Sequence, residues 1–324
     1  MKALVTGATG FVGGHLVDRL LARGDAVTAL VRSPAKARAL TDRGVRLVQG
    51  DLDSHDAMAR AAAGQDVIYH VAALTGAVDE AEFLAANRDG TSNLVRAAQR
   101  DGQAPRFVLV SSMAAGGPSA PGAPRLADGL DAPVTMYGRS KLASEQVLRG
   151  EPIPWVILRP PTVYGPRDRD NLITVFKAAR LGIAPVFGKG SMEVSIVHVE
   201  DLADAIILAG TTAAIDQRTY YVNHPEILSS ADLVRTIGRT MGREVALLPI
   251  PEWAARVALT ATGTWAGVFR QKTILRADKA NEFYQAAWTG DPTPFIADTG
   301  WAPRFDAASG LTQTHAWYRD AGWL

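Results

Sequence analysis

Tyr137 and Lys141 stand four residues apart in Tyr137-Gly138-Arg139-Ser140-Lys141, so on a helix they share one face. An ammonium beside a phenol favours the phenolate. The pair therefore reads as a proton-transfer device, its tyrosine moved down from a reference pKa of about 10. The same spacing occurs on ordinary helix surfaces, so the pair alone carries little. Ser111 and Ser112 follow the apolar run Val108-Leu109-Val110. A hydroxyl at the C-terminal end of a buried parallel strand can hydrogen-bond a substrate oxygen as charge develops on it. Neighbouring strand residues face opposite ways; Ser112 is the preferred candidate and Ser111 its rival, with local turn capping as the alternative.

A third group lies at the N-terminus, where Gly7, Gly10 and Gly13 recur every three residues between the apolar run Ala3–Thr6 and the helical pattern from Val12 to Arg23. Strand, glycine turn and helix together let backbone amides approach a pyrophosphate at a helix N-terminus. The spacing G-x-x-G-x-x-G departs from the common G-x-G-x-x-G, and a plain tight turn is the competing reading.

These residues need a scaffold, and the chain supplies one in its rhythm. Apolar runs at Ala3–Thr6, Ala26–Val31, Val45–Gln49, Val67–Val71, Phe107–Ser111 and Trp155–Arg159 alternate with helical patterns at Val12–Arg23, Lys36–Asp42, Ala57–Ala63, Asn87–Asp101 and Ser140–Arg149. That alternation predicts an α/β fold, a doubly wound parallel sheet covered on both faces. Residues 1–165 form the expected dinucleotide-binding domain, to which 195–223 returns. Residues 166–194 and 224–324 form a smaller, mostly helical substrate lobe. The Gly- and Pro-rich stretch Gly116–Pro133 reads as a long surface loop near the mouth of the sheet.

With 324 residues and 47% hydrophobic content the chain can bury a sizeable core. A net charge of +1 offers no field for nucleic acid. No cysteine is present, which removes disulfides and thiolate chemistry and fits a reducing, cytoplasmic setting; scattered histidines give a metal site no support. The apolar stretch Trp253–Phe269 is read as an amphipathic helix of the second lobe. A membrane-touching or lipid-substrate entrance is the alternative.

The three groups together resemble the extended short-chain dehydrogenase/reductase family. Its T-G-x-x-G-x-x-G is Thr6–Gly13, its aspartate after the third strand is Asp51, and its alanine-rich strand end is His70-Val71-Ala72-Ala73. Asn87–Thr91 match its N-x-x-G-T, Arg159–Pro166 its arginine–proline strand end, and Val197–Ala203 its return strand and helix. The resemblance implies Tyr137 as general acid/base, Lys141 as the group that holds the nicotinamide ribose, and Ser112 as the residue that orients the substrate oxygen; Asn87 is expected to be structural. It places Gly7, Thr9, Gly10, Phe11 and Val12 at the pyrophosphate, Asp51 and Leu52 at the adenine, Ala72 and Ala73 along the ribose and phosphates, and Pro160 and Val163 beside the nicotinamide. It also implies a homodimer, paired through helices near Asn93–Arg100 and Ser140–Leu148.

Two choices within the family follow from single positions. An acidic residue at the end of the second strand binds ribose hydroxyls and repels a 2′-phosphate; here the strand ends in Arg32-Ser33-Pro34 with Lys36 near. NADP is therefore favoured over NAD, with Arg32 pairing the 2′-phosphate or merely stacking on adenine. Gly190–Ile196 holds no arginine for a sugar-nucleotide diphosphate, and Met113-Ala114 lacks the acidic pair of sugar dehydratases. The C-terminal part instead carries Trp253, Trp265, Phe269, Phe283, Tyr284 and Trp288, residues of a core or of a lipophilic pocket. The look is that of the reductase and 3β-hydroxysteroid-dehydrogenase-like branch. The expected reaction is hydride transfer between nicotinamide and a secondary alcohol or ketone of a small lipophilic substrate. A nucleotide-sugar epimerase/dehydratase and a non-catalytic dinucleotide sensor are the alternatives.

Overall fold

The computed structural model describes residues 1–100, 102, 104–268 and 277–324, with side chains described for these except 263–268 and 277. Six strands of the N-terminal half, β1 (Lys2–Thr6), β2 (Ala26–Val31), β3 (Arg46–Gln49), β4 (Val67–His70), β5 (Arg106–Val110) and β6 (Trp155–Arg159), join one sheet. After them come β7 (Thr162–Tyr164), β8 (Ile183–Phe187), β9 (Glu193–Val194), β10 (Ile196–His198), β11 (Arg218–Tyr221), β12 (Leu228–Ser229), β13 (Ala246–Ile250) and β14 (Ala287–Trp288). The main sheet runs β11-β6-β5-β4-β1-β2-β3, all parallel. Its order reverses at β1, between β4 and β2, and ligands of doubly wound sheets bind at the strand C-termini beside such a reversal.

Alternation along each strand decides which helices cover which face. Ala3 and Val5, with Val108 and Val110, enter one core together with Leu16, Val17 and Ile206. Leu4, Phe107 and Leu109 enter the opposite core with Met58, Leu94 and Leu148. The first face is thus covered by helices Phe11–Ala22 and Val199–Thr211, which pack on each other. The second is covered by His55–Ala62, Gly90–Gln99 and Met136–Arg149. Several expected helices differ in detail: the one expected at Ser140–Arg149 starts at Met136, and the one expected at Ala57–Ala63 runs His55–Ala62. The expected Lys36–Asp42 helix is a 3₁₀ turn, Pro34–Ala37, followed by one α-turn, Arg38–Thr41, because Pro34 can only start a helical segment. The one expected at Asn87–Asp101 starts earlier, at Glu80–Leu84, and passes through a π-turn at Ala85–Asp89, a geometry that clusters at functional sites.

Two close contacts hold the turn and the covering helix in place. Gly7 has φ +73°, and a Cβ there would lie 2.8 Å from the Ala72 nitrogen; a Cβ at Gly13 would lie 2.1 Å from the Gly7 carbonyl oxygen. The helix therefore rests directly on the turn. Across the sheet, Glu145 of the Met136–Arg149 helix accepts from Arg159 of β6 at 2.9 Å (Nε) and 2.6 Å (Nη2), and from the Ser111 hydroxyl at 2.5 Å. Arg159 also forms an ion pair with Asp131 at 2.7 Å, and Arg149 donates to Glu145 at 2.8 Å. Glu145 and Arg159 are fully buried.

The Gly116–Pro133 stretch is pinned rather than free. Ser119 and Arg125 donate backbone N–H groups to Ala287 and Thr289, both at 3.0 Å. Beyond Asn223 the chain is mostly helical, with Ser230–Thr240 packed on Ala307–Asp320. A helix does span Glu252–Val268, but Trp253 and Val257 point outward while Ala255 and Leu259 are buried. Phe269 lies outside the described residues, as does the Trp265 side chain. Among the described residues no helix is long and apolar enough to cross a membrane.

Gly13→Ala forces an added methyl into a carbonyl; it should destabilise the fold by about 2–3 kcal/mol and weaken dinucleotide binding, read by thermal unfolding and titration. Glu145→Leu should cost about 3–5 kcal/mol by chemical denaturation, since it leaves the buried Arg159 charge without its carboxylate.

Candidate functional site

Many of the residues singled out by sequence sit just past the C-terminal ends of parallel strands, while Tyr137 and Lys141 come from the Met136–Arg149 helix and Val163 from β7. Gly7 follows β1, Arg32 β2, Asp51 and Leu52 β3, Ala72 and Ala73 β4, Ser112 β5, and Pro160 β6. A parallel sheet aligns those ends on one edge, so residues far apart in sequence come together where doubly wound sheets carry their ligand crevice. Thr9 and Gly10 are exposed at the top of the glycine turn, while Phe11 and Val12 are half-buried. Gly10 is the N-cap of its helix and has no side chain to cap it, and no acidic residue lies in the first turn. The first amides are thus directed at whatever occupies the crevice.

Behind the turn runs a closed hydrogen-bond chain. Thr6 Oγ1 is 2.7 Å from His70 Nδ1, and His70 Nε2 is 3.0 Å from Thr91 Oγ1. Thr91 spends its hydroxyl proton on the Asn87 carbonyl at 2.7 Å, so Nε2–H donates to Thr91 and Nδ1 accepts from Thr6. Thr6 Oγ1 in turn accepts the Ala72 N–H at 3.2 Å. Burial, aided by the Lys141 charge, holds His70 neutral with its pKa at about 3. Asn87 accepts from Leu74 N–H at 2.7 Å and donates to the Leu74 carbonyl at 3.1 Å and to Ser140 Oγ at 2.9 Å, tying the loop after β4 to the Tyr137 helix. This network has one visible sequence signal, Asn87–Thr91; Thr6 and His70 were placed only as motif neighbours.

Tyr137 lies in the first turn of its helix, whose N-cap Thr135 accepts the Gly138 N–H. Burial pushes the phenol up to about 12, while a hydrogen bond with the Ser112 side chain pulls it down and the Glu282 charge raises it further. The direction is opposite to the lowering expected from Lys141. The ammonium is engaged elsewhere, donating to the Val110 carbonyl at 2.9 Å, and its own pKa falls to about 8 through desolvation, opposed by Glu145. No described residue takes its other two donors. Ser111 and Ser112 divide as strand alternation demands. Ser111 continues the face of Phe107 and Leu109 and donates to Glu145. Ser112 caps the short helix Met113–Gly116, accepting from Ala114 N–H at 3.2 Å, and is the serine that meets Tyr137.

Two further sets of residues join the crevice without having been foreseen. Asp278 accepts the Met136 N–H at 3.1 Å, and Glu282, paired with Lys279 at 2.6 Å, brings its charge to Tyr137. This cover arrives from more than a hundred residues downstream with no motif. At the β2 exit, Arg38 joins Arg32 and Lys36; all three are exposed, and none has an ion-pair partner among the described residues. Asp51 is exposed, and its carboxylate accepts from Ser54 Oγ at 2.6 Å and from Asp53 N–H at 3.1 Å, which holds its pKa down. Pro160 and Val163 are buried, with the Pro160 carbonyl accepting Met113 N–H at 2.8 Å.

Comparison with known proteins agrees with this architecture. The family model described as NAD dependent epimerase/dehydratase family matches residues 3–222. A ceramide reductase of Caulobacter vibrioides is 32% identical over 99% of this chain and 95% of its own length. The 4-hydroxy-2-methyl-3-oxo-4-farnesyl-3,4-dihydroquinoline-1-oxide ketoreductase of Stigmatella aurantiaca is 30% identical over 80% of this chain and 78% of its own. Among solved structures, the UDP-glucuronic acid 4-epimerase of Bacillus cereus in complex with NAD superposes with a TM-score of 0.80 at 20% identity, covering 100% of both chains. Strand order, glycine turn and family match coincide, and the chain belongs to the NAD-dependent epimerase/dehydratase family, of the extended short-chain dehydrogenase/reductase type.

Proposed function

We propose that the chain is an NADP-dependent oxidoreductase that interconverts a ketone and a secondary alcohol on a small lipophilic substrate. The observation that carries this reading is the placement of Tyr137 one helical turn from Lys141 on the Met136–Arg149 helix, with the Lys141 ammonium bonded to the Val110 carbonyl at the end of β5, two residues before Ser112. Two features of this edge favour a dinucleotide. Gly7 and Gly13 leave no room for a Cβ, and the uncapped helix start of Gly10, Phe11 and Val12 offers amides to a pyrophosphate. Asp51 and Leu52 would flank the adenine, Ala72 and Ala73 the ribose and phosphates, Lys141 the second ribose, and Pro160 and Val163 the nicotinamide. Arg32, with Lys36 and Arg38, would take the 2′-phosphate. The bound nicotinamide supplies or accepts the hydride.

The chain's own residues handle the proton. The Tyr137 phenol, neutral at pH 7 with its pKa raised to about 12, gives its proton to the carbonyl oxygen as hydride reaches the carbon. Ser112 steadies that oxygen by hydrogen bonding as it gains charge. In the reverse direction the phenolate takes the alcohol proton, so oxidation should gain rate toward high pH while reduction does not.

Substrate class rests on several supports. The ceramide reductase and the farnesyl-dihydroquinoline-oxide ketoreductase both carry lipophilic substrates in their names. The segment over the site is aromatic, with Phe187 stacked on Phe283 at 4.2 Å. The absence of an arginine in Gly190–Ile196 argues against a sugar diphosphate.

Tyr137→Phe should lower ketone reduction about 10²–10⁴-fold with NADP binding largely retained; ordinary turnover in a reduced-nicotinamide absorbance assay would remove Tyr137 from the mechanism. Turnover without net absorbance change would mark an epimerase instead. Arg32→Asp should weaken NADP by about tenfold or more, roughly 1.4 kcal/mol, relative to its effect on NAD by titration; equal effects on both would show that Arg32 does not read the phosphate.

A further inference from the structure

The small parallel pair β8–β13 is apolar on both faces. Inward, Ala184 and Val186 pack on Val234. Outward stand Ile183, Pro185, Ala246 and Leu248, where a sheet facing water ordinarily carries polar residues. The same surface takes in Leu181, just before β8, and the start of the Glu252–Val268 helix, just after β13. The exposures are large: Leu181 78%, Ile183 53%, Leu248 52%, Trp253 72% and Val257 65%. Trp253 and Val257 are one helical turn apart, on the side opposite the buried Ala255 and Leu259. The outward side chains on this face are thus apolar on β8, on β13 and at Trp253 and Val257 of the helix.

Charge flanks it. Lys177 and Arg180 precede Leu181, Lys189 follows β8, and Arg243 precedes β13; all are exposed, and none has an ion-pair partner among the described residues. Glu244 is the carboxylate among them, while Glu252 is paired with Arg256 at 2.7 Å. A large apolar face with a tryptophan and flanking unpaired cations matches the acyl and headgroup layers of an anionic bilayer.

The face is also continuous with the cover of the Tyr137 crevice. Arg256 donates to Asn281 Oδ1 at 3.3 Å, Tyr284 Oη donates to the Ile250 carbonyl at 2.8 Å, and Phe283 stacks on Phe187 of β8. Asn281 and Phe283 flank Glu282, whose charge reaches Tyr137.

We infer that the surface formed by Leu181, Ile183, Leu248, Trp253 and Val257 docks the protein on an anionic lipid bilayer, with the Tyr137 crevice opening beside the docked face. That the bilayer delivers substrate rests on the lipophilic-substrate reading above; docking itself does not.

Flotation with vesicles tests it, comparing pure phosphatidylcholine with an equal mixture of phosphatidylcholine and phosphatidylglycerol, without substrate. The protein should float with the mixed vesicles and at least tenfold less with phosphatidylcholine alone or at high salt. Trp253→Ser/Val257→Ser and Arg180→Glu/Arg243→Glu should each lose at least tenfold of the bound fraction, while thermal midpoint and turnover of a water-soluble short-chain ketone stay as in the parent. A parent that stays in solution, or variants that float equally well, overturn the inference. A concentration-dependent dimer that Trp253→Ser/Val257→Ser disperses, without flotation of the parent, assigns the face to a second copy and overturns it too. If no ketone is turned over, the functional reading fails while flotation still decides docking.

Discussion

A buried carboxylate–guanidinium pair decides where the Tyr137 helix lies. Glu145 and Arg159 are removed from water, so each needs the other's charge and nearly every available hydrogen bond to offset desolvation. Glu145 accepts from Arg159 twice, from Ser111 and from Arg149; Arg159 turns its remaining side to Asp131 and Tyr221. Tyr137, Lys141 and Glu145 follow one another at four-residue intervals on the same helix. Anchoring the third against β6 therefore places the second at the end of β5 and the first at the crevice. The pair also ties in the loop bearing Asp131, and through it the stretch that covers the sheet mouth.

Electrostatics at the crevice follow from that burial. Lys141 is desolvated strongly enough for its pKa to fall to about 8, and Tyr137 is pushed up to about 12 by its own burial, with the Glu282 carboxylate adding to the rise. His70, neutral and doubly hydrogen-bonded, adds rigidity without charge. Such a site holds a neutral phenol at its rim and a cation beneath it.

Much of this was legible in the residue order. The strands Ala26–Val31 and Trp155–Arg159 agree with the sequence reading to the residue, because both are mostly apolar runs between turn signals and, Ala26 apart, both are buried. The helix starting at Pro34 and the one around Asn87 were not, because a proline start and a π-turn leave no period to read. The Gly116–Pro133 stretch read as a loop, yet its attachment to Ala287 and Thr289 depends on a partner segment that no pattern announces.

The sequence by itself determined the family, the parallel sheet and the set of strand ends that form the crevice. Those depend on local period, on glycines that leave space and on motifs whose order is fixed by the chain. Only the tertiary structure showed that Ser111, and not Ser112, turns to Glu145, since either can end a strand and the faces they take depend on what packs there. It alone brought Asp278 and Glu282 over Tyr137, and it alone reversed the direction of the tyrosine's shift. Desolvation and charge act through distance in space, and a linear spacing of four residues says nothing about which carbonyl an ammonium will choose.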